Sequence, residues 1–171
     1  VEIVNTEGSA TATDVAGIEI DGILEGDLIN NGTVSAEARA IGRNGAKAEA
    51  HGIEFDAEYE NAIANVQNNA GALIAATAFA SVTGTYITTA IATAEAKGID
   101  QWVTTEDTDG EALVGNSGII TADAMAIAGT FTYYAFGDSA FATATGVEQE
   151  VVAGANAAAS LTNGSSGTIS A

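Results

Sequence analysis

The chain contains neither cysteine nor proline. Without cysteine there are no disulfides, no thiolate nucleophiles and no cysteine-ligated zinc. Proline lacks the N–H that a sheet ladder requires, so its absence fits a chain in which nearly every backbone amide enters a ladder. Aromatic residues make up only 6% of 171 residues, although 47% are hydrophobic, and much of that hydrophobic share is alanine. Large side chains supply most burial energy in an ordinary core. An alanine-rich interior belongs instead to a narrow structure whose walls lie close together.

Cationic residues are also scarce. Four Lys and Arg stand against 23 Asp and Glu, giving a net charge of −19. Such a chain lacks the cations that displace counterions from nucleic acid phosphates, so no nucleic-acid partner is expected. The same imbalance argues against docking on anionic lipid. It gives a solvated, self-repelling surface, with collection of cations as the alternative use. No apolar run approaches the roughly 20 residues of a membrane helix, so no membrane insertion is expected. The sequence opens on Val1 with nothing resembling a signal peptide, which leaves a processed chain, an excised fragment or a cytoplasmic protein.

What the chain does have is repetition. An aliphatic residue, any residue and Asn, soon followed by Gly, recur five times. The anchors are Asn5 with Gly8, Asn30 with Gly32, Asn68 with Gly71, Asn116 with Gly118, and Asn163 with Gly167. After the last four glycines come Thr33-Val34-Ser35-Ala36, Ala72-Leu73-Ile74-Ala75, Ile119-Ile120-Thr121-Ala122 and Thr168-Ile169-Ser170-Ala171. Between these anchors lies alternating alanine ending in Gly and a β-branched residue, at Gly52-Ile53, Gly98-Ile99 and Gly146-Val147, with a weaker copy ending at Gly17-Ile18. The repeat units run approximately 1–27, 28–65, 66–113, 114–160 and a partial 161–171, within one domain of residues 1–171.

Inside each unit the period is two, as in Ala122-Asp123-Ala124-Met125-Ala126-Ile127-Ala128. That is strand alternation, not the 3.6-residue period of a helix. Alanine favours helix, but abundant Thr, Val and Ile with frequent Gly oppose it. The expected fold is all-β, a single-domain parallel β-solenoid. A unit near 47 residues is too long for one turn of a narrow β-helix, so two turns per unit are expected. That gives about seven coils and a rod of roughly 35 Å at ~4.8 Å per coil. Leu28, Val34, Leu73, Ile99, Ile120, Val147 and Leu161 are expected to fill its wider parts. The recurring Asn residues have two structural readings. Stacked in register, their amides form a hydrogen-bonded ladder; alternatively, each favours a left-handed turn.

In these anchors the chain resembles the repeat region of autotransporter-type passenger proteins of bacterial surfaces. The resemblance covers nearly the whole sequence. It implies a right-handed parallel β-helix, export to the cell surface or beyond, and work in adhesion, biofilm or surface-layer structure. The C-terminal membrane barrel of that family is missing from this sequence.

Chemistry is sparse. The single histidine, His51, occupies a repeat position that holds Lys97 and Thr145 in later units, which marks it as exposed and variable. No Ser–His–Asp set can be built around it. The acids Glu37, Glu49, Glu54, Asp56, Glu58, Glu60, Asp100, Glu148 and Glu150 are spread along the chain with no evident pair for sugar cleavage. Glu106–Glu111 resembles part of a calcium loop through Asp107, Asp109 and Glu111 but lacks the remaining spacing, so a solvated acidic turn is the favoured reading and no cofactor is assigned. Glu54–Glu60 is expected to form an exposed corner. Trp102, Tyr133, Tyr134 and Phe136 are expected in longer insertions, over a coil edge or as a contact patch.

The expected function is non-enzymatic: an extracellular structural subunit that stacks head-to-tail on itself into a filament or matrix fibre. The nearly in-phase ends, with no charged or helical cap, motivate that expectation. One alternative is an adhesive passenger segment binding a glycan or surface. The other is a carbohydrate-active β-helix enzyme, for which no site is visible in the sequence.

Overall fold

A computed structural model describes residues 1–5, 7–22, 27–58, 60–83, 89–129 and 138–171. Those residues form thirteen strands. In chain order they are β1 (Glu2–Asn5), β2 (Ser9–Asp21), β3 (Leu28–Asn30), β4 (Thr33–Gly42), β5 (Gly45–Glu58), β6 (Ile63–Asn68), β7 (Leu73–Val82), β8 (Ile91–Thr105), β9 (Gly110–Asn116), β10 (Ile119–Ala128), β11 (Ser139–Ala153), β12 (Ala157–Asn163) and β13 (Thr168–Ser170). Every strand pairs with the strand three places along the chain, always parallel. Three sheets result: β1-β4-β7-β10-β13, then β2-β5-β8-β11, then β3-β6-β9-β12. The chain is a parallel β-solenoid. Among the described residues no helix is long and apolar enough to cross a membrane.

The sheet order corrects the coil count. Three consecutive strands make one turn, so the thirteen strands give four turns, with β13 opening a fifth, instead of about seven. Each repeat unit is a single turn. Successive ladder asparagines are 38, 48 and 47 residues apart. The perimeter is long because the cross-section has two lobes. In the first, sheet one faces the opening half of sheet two, and the contact is almost wholly alanine, from Ala38 and Ala40 through Ala48 and Ala50 to Ala94 and Ala96. The small side chain lets two walls close together. In the second lobe, Ile53, Phe55, Ile99 and Val103 face Ala64, Val66, Ala112 and Val114, with Ile74 and Ile120 at the apex.

The lobes meet at a waist. In β5 the alternation that buries Ala46, Ala48 and Ala50 slips by one at Gly52, after which Ile53, Phe55 and Ala57 are buried. The strand bends there. A Cβ built on Gly52 would overlap the Gly98 carbonyl and the Ile74 side chain; one on Gly98 would overlap the Gly146 carbonyl and Ile120; one on Gly146 would overlap Ile169. The two sequence motifs therefore press on each other: the glycine of one turn receives the branched residue that opens the next.

Several core expectations change. Ile99 and Ile120 are fully buried, and Leu28, Val34 and Val147 pack against the core. Leu73 does not: Thr33, Leu73, Ile119 and Thr168 share one register position, and the inward residue is Ile74. The turn after Asn68 holds two more residues than the turn after Asn30, which shifts the matching tetrapeptide by one. Leu161 stacks on the buried Val114 but is 45% exposed, because no coil lies above β12. Glu54–Glu58 is the end of β5, not a corner, and its Phe55 is buried. Trp102 lies within β8, half exposed, and not in an insertion. Tyr133, Tyr134 and Phe136 fall outside the described residues.

Candidate functional site

The asparagines form a ladder. Asn30 Nδ2 donates to Asn68 Oδ1 at 2.9 Å, Asn68 to Asn116 at 2.8 Å, and Asn116 to Asn163 at 2.8 Å. Each Nδ2 also donates to the backbone beyond the corner, at the Leu73, Ile119, Thr168 and Gly167 carbonyls. Buried amides are thereby paired on both sides, which removes the cost of leaving them unsatisfied. The ladder reading holds for these four residues, and none of them has positive φ. Asn5 does not belong to the set. It ends β1 beside Gly42, in the first sheet, and closes a local turn by accepting from the Glu7 and Gly8 amides. Of the corner glycines, Gly71 has φ +81° and needs to be glycine. Gly118 and Gly167 are packed against ladder atoms, while Gly32 meets nothing within 4 Å.

A second amide column was not visible in the sequence. Gln149 Nε2 donates to Gln101 Oε1 at 2.8 Å, and Gln101 donates to the Ala64 carbonyl at 2.9 Å from a fully buried position. These glutamines bridge the bent arm of sheet two to sheet three. Phe55 and Ile20 occupy the same column in the earlier turns, so only two members carry the amide.

The waist also folds the outer surface of sheet two into a charged crease. His51 points outward, yet only 5% of it is exposed. The expectation of an exposed, variable position is corrected: bending brings flanking side chains over it. Its Nε2 stands 3.5 Å from Glu49 Oε1, and its Nδ1 stands 3.3 Å from Glu54 Oε2 and 3.7 Å from Asp100 Oδ2. Lys97, stacked on His51, reaches Asp100 at 2.8 Å and Glu148 at 2.9 Å. Acids that look dispersed in the chain therefore converge on one face. The signal was available in the register, since Glu19, Glu54, Asp100 and Glu148 repeat at one position, two after the glycine.

The charges respond to one another. Burial opposes the Lys97 ammonium, but the bonds and charges of Asp100 and Glu148 hold its pKa well above the ordinary value. Burial pushes Glu49 up, and the Lys47 bond with the Lys47, His51 and Lys97 charges outweighs it and holds the carboxyl below its ordinary range. Glu54 is pushed up, first by burial and then by Asp100 and Glu19, with His51 opposing. Asp56 is pushed up by burial and by Asp21 and Asp100. Lys97 is ion-paired with Asp100 and Glu148, whereas the two buried ring nitrogens of His51 make no hydrogen bond.

Open recesses are found at other places on the surface. One, on the outer face of sheet three, lies over Gly115 and is lined by amides and hydroxyls including Asn65, Gln67, Asn69 and Thr162. Another is bounded by Glu58, Glu60, Thr104, Glu106 and Asp107. The three candidate calcium ligands do not converge. Asp109 Oδ1 accepts from the Asn156 backbone and side chain at 3.1 and 2.8 Å, and Glu111 lies within β9. Among the described residues there is no group of three or more His, Asp or Glu placed to hold a metal ion. Comparison with protein-family models, curated proteins and solved structures finds no match to this chain.

Proposed function

We propose that this protein is a non-enzymatic structural rod that lengthens by end-to-end stacking of copies into an extracellular filament or matrix fibre. The observation that carries the reading is that successive turns repeat one three-sheet cross-section in register, so that each layer is a template for the next. β11 and β12 pair on one side only, with β8 and β9, and β12 is exposed along its whole length. At the other end β2 and β3 likewise pair on one side only, with β5 and β6. A strand edge with unpaired N–H and C=O groups templates another strand. The same three-sheet cross-section at both ends makes a further copy the matching template.

The absence of catalysis is part of the proposal. Its support is that the crease acids Glu49, Asp100 and Glu148 are paired with Lys47 and Lys97. Extracellular placement at a bacterial surface rests on the passenger-repeat resemblance. A second reading, adhesion to a glycan, is favoured by the amide- and hydroxyl-lined recess over Gly115; binding on a glycan array by a non-assembling form would support it. The stacking reading is tested by sedimentation at rising concentration. Concentration-dependent growth into large species is expected, and a constant monomer up to high concentration would refute it.

A further inference from the structure

Within the charged crease, Glu49, Asp100 and Glu148 are ion-paired with Lys47 or Lys97. Glu54 instead meets His51 Nδ1 at 3.3 Å. The His51 side chain is 6% exposed and aimed into the crease, and neither ring nitrogen makes a hydrogen bond. A neutral imidazole carries one proton, so one of its nitrogens turns a bare lone pair toward carboxylate oxygens. A buried polar group in that state calls for a partner. The next turn shows what the position takes. His51 and Lys97 share one register position, and Glu54, Asp100 and Glu148 share another. The Lys97 ammonium sits between the acid of its own turn and that of the following turn, 2.8 Å from Asp100 and 2.9 Å from Glu148. His51 Nδ1 faces the equivalent acids, Glu54 at 3.3 Å and Asp100 at 3.7 Å. It brings a lone pair where the lysine brings a charge.

We propose that a divalent transition-metal ion of the zinc type binds between His51 Nδ1 and the Glu54 carboxylate. Imidazole and carboxylate together suit such ions. Zinc holds an imidazole nitrogen at about 2.0–2.1 Å and a carboxylate oxygen at about 2.0–2.2 Å, so two such ligands in tetrahedral geometry stand about 3.3–3.5 Å apart. Nδ1 and Glu54 Oε2 already have that spacing, which is longer than a charge-assisted hydrogen bond. The far nitrogen fits as well. Nε2 stands 3.5 Å from Glu49 Oε1, and a ligating histidine ordinarily turns its other N–H to a carboxylate. Asp100 stays with Lys97. The chain thus supplies two ligands and water the rest, in keeping with there being no three-ligand group among the described residues. The Glu54 side chain is 36% exposed, which leaves the seat open to solvent. Ala16, Lys97 and Thr145 stand at the His51 position in the other turns, so the site occurs in one turn only. Magnesium and calcium prefer all-oxygen ligands and do not fit an imidazole seat.

Zinc titration of the whole chain, first freed of metal with a chelator, tests the site. Calorimetry at moderate salt is expected to give one zinc per chain and no comparable heat with magnesium. His51→Gln is expected to abolish the one-to-one binding, and Glu49→Gln to weaken it about tenfold or more. Glu106→Gln/Asp107→Asn, in the acidic corner outside the crease, is expected to leave it unchanged. His51 is the only histidine of the chain, so nitrogen-15 NMR follows its ring in the unsubstituted protein, whether or not a variant folds. Zinc is expected to shift Nδ1 fully by one equivalent. Ring nitrogens that do not shift, no zinc heat, zinc heat matched by magnesium, or one-to-one binding that survives His51→Gln would each overturn the site.

Discussion

At the scale of single residues, the molecule is ordered by small side chains and by amides rather than by large apolar groups. Its charged residues are less settled. Glu54 and Asp56 both sit above their ordinary values, with burial as the leading cause. A carboxyl whose folded pKa is raised binds its proton more tightly in the folded state, so its charge weakens the fold at neutral pH. The penalty fades as pH falls through the raised value toward the ordinary ones of 4.5 and 3.8. Glu49 works in the opposite sense: its stabilisation is present above its ordinary value and is lost as pH falls through the depressed one. The Glu54→Gln/Asp56→Asn variant should therefore melt above the parent at pH 7 and converge with it in acid. Thermal melts followed by circular dichroism across that range check this; a variant that melts below the parent at pH 7 contradicts it.

At the scale of the strand, the asparagine corners, the alanine alternation and the Gly–Ile steps were legible because they repeat in register and each performs the same task in every turn. What repetition could not convey is how many turns a unit makes. A unit of 38 to 48 residues closes once because β5, β8 and β11 are long and bent. The bend hides in a single glycine and a slip in alternation, and the burial of His51 and the charged crease depend on it. The glutamine column stayed hidden because Phe55 and Ile20 replace the amide in the first turns. The waist gives a sharp contrast between two glycines. Gly98→Ala places a methyl against the Gly146 carbonyl and Ile120, and should cost about 1–3 kcal/mol or more as overpacking. Gly32→Ala, with open space and no positive φ, should fall within about 0.5 kcal/mol of the parent. Urea denaturation of both variants measures the difference, and equal losses would contradict the waist.

At the scale of the whole molecule, stacking works against charge. With a net charge of −19, copies repel at long range. Within the chain Lys97 offsets part of the crease charge through Asp100 and Glu148. Where a further copy continues the register, Glu19 falls on Glu148 and Asp21 on Glu150, while the neighbouring positions are Ala16 and Thr145, which bring no cation. Screening over roughly 8–10 Å at physiological salt should therefore favour growth. The most direct test of the stacked rod is its axial rise, measured by cryo-electron microscopy of the assembled chain at moderate salt. Four full layers per copy, stacked at the spacing within the chain, give filaments with a rise near 19 Å at ~4.8 Å per layer. Isolated short particles at every salt and concentration, or lateral aggregates with no axial repeat, would contradict the account.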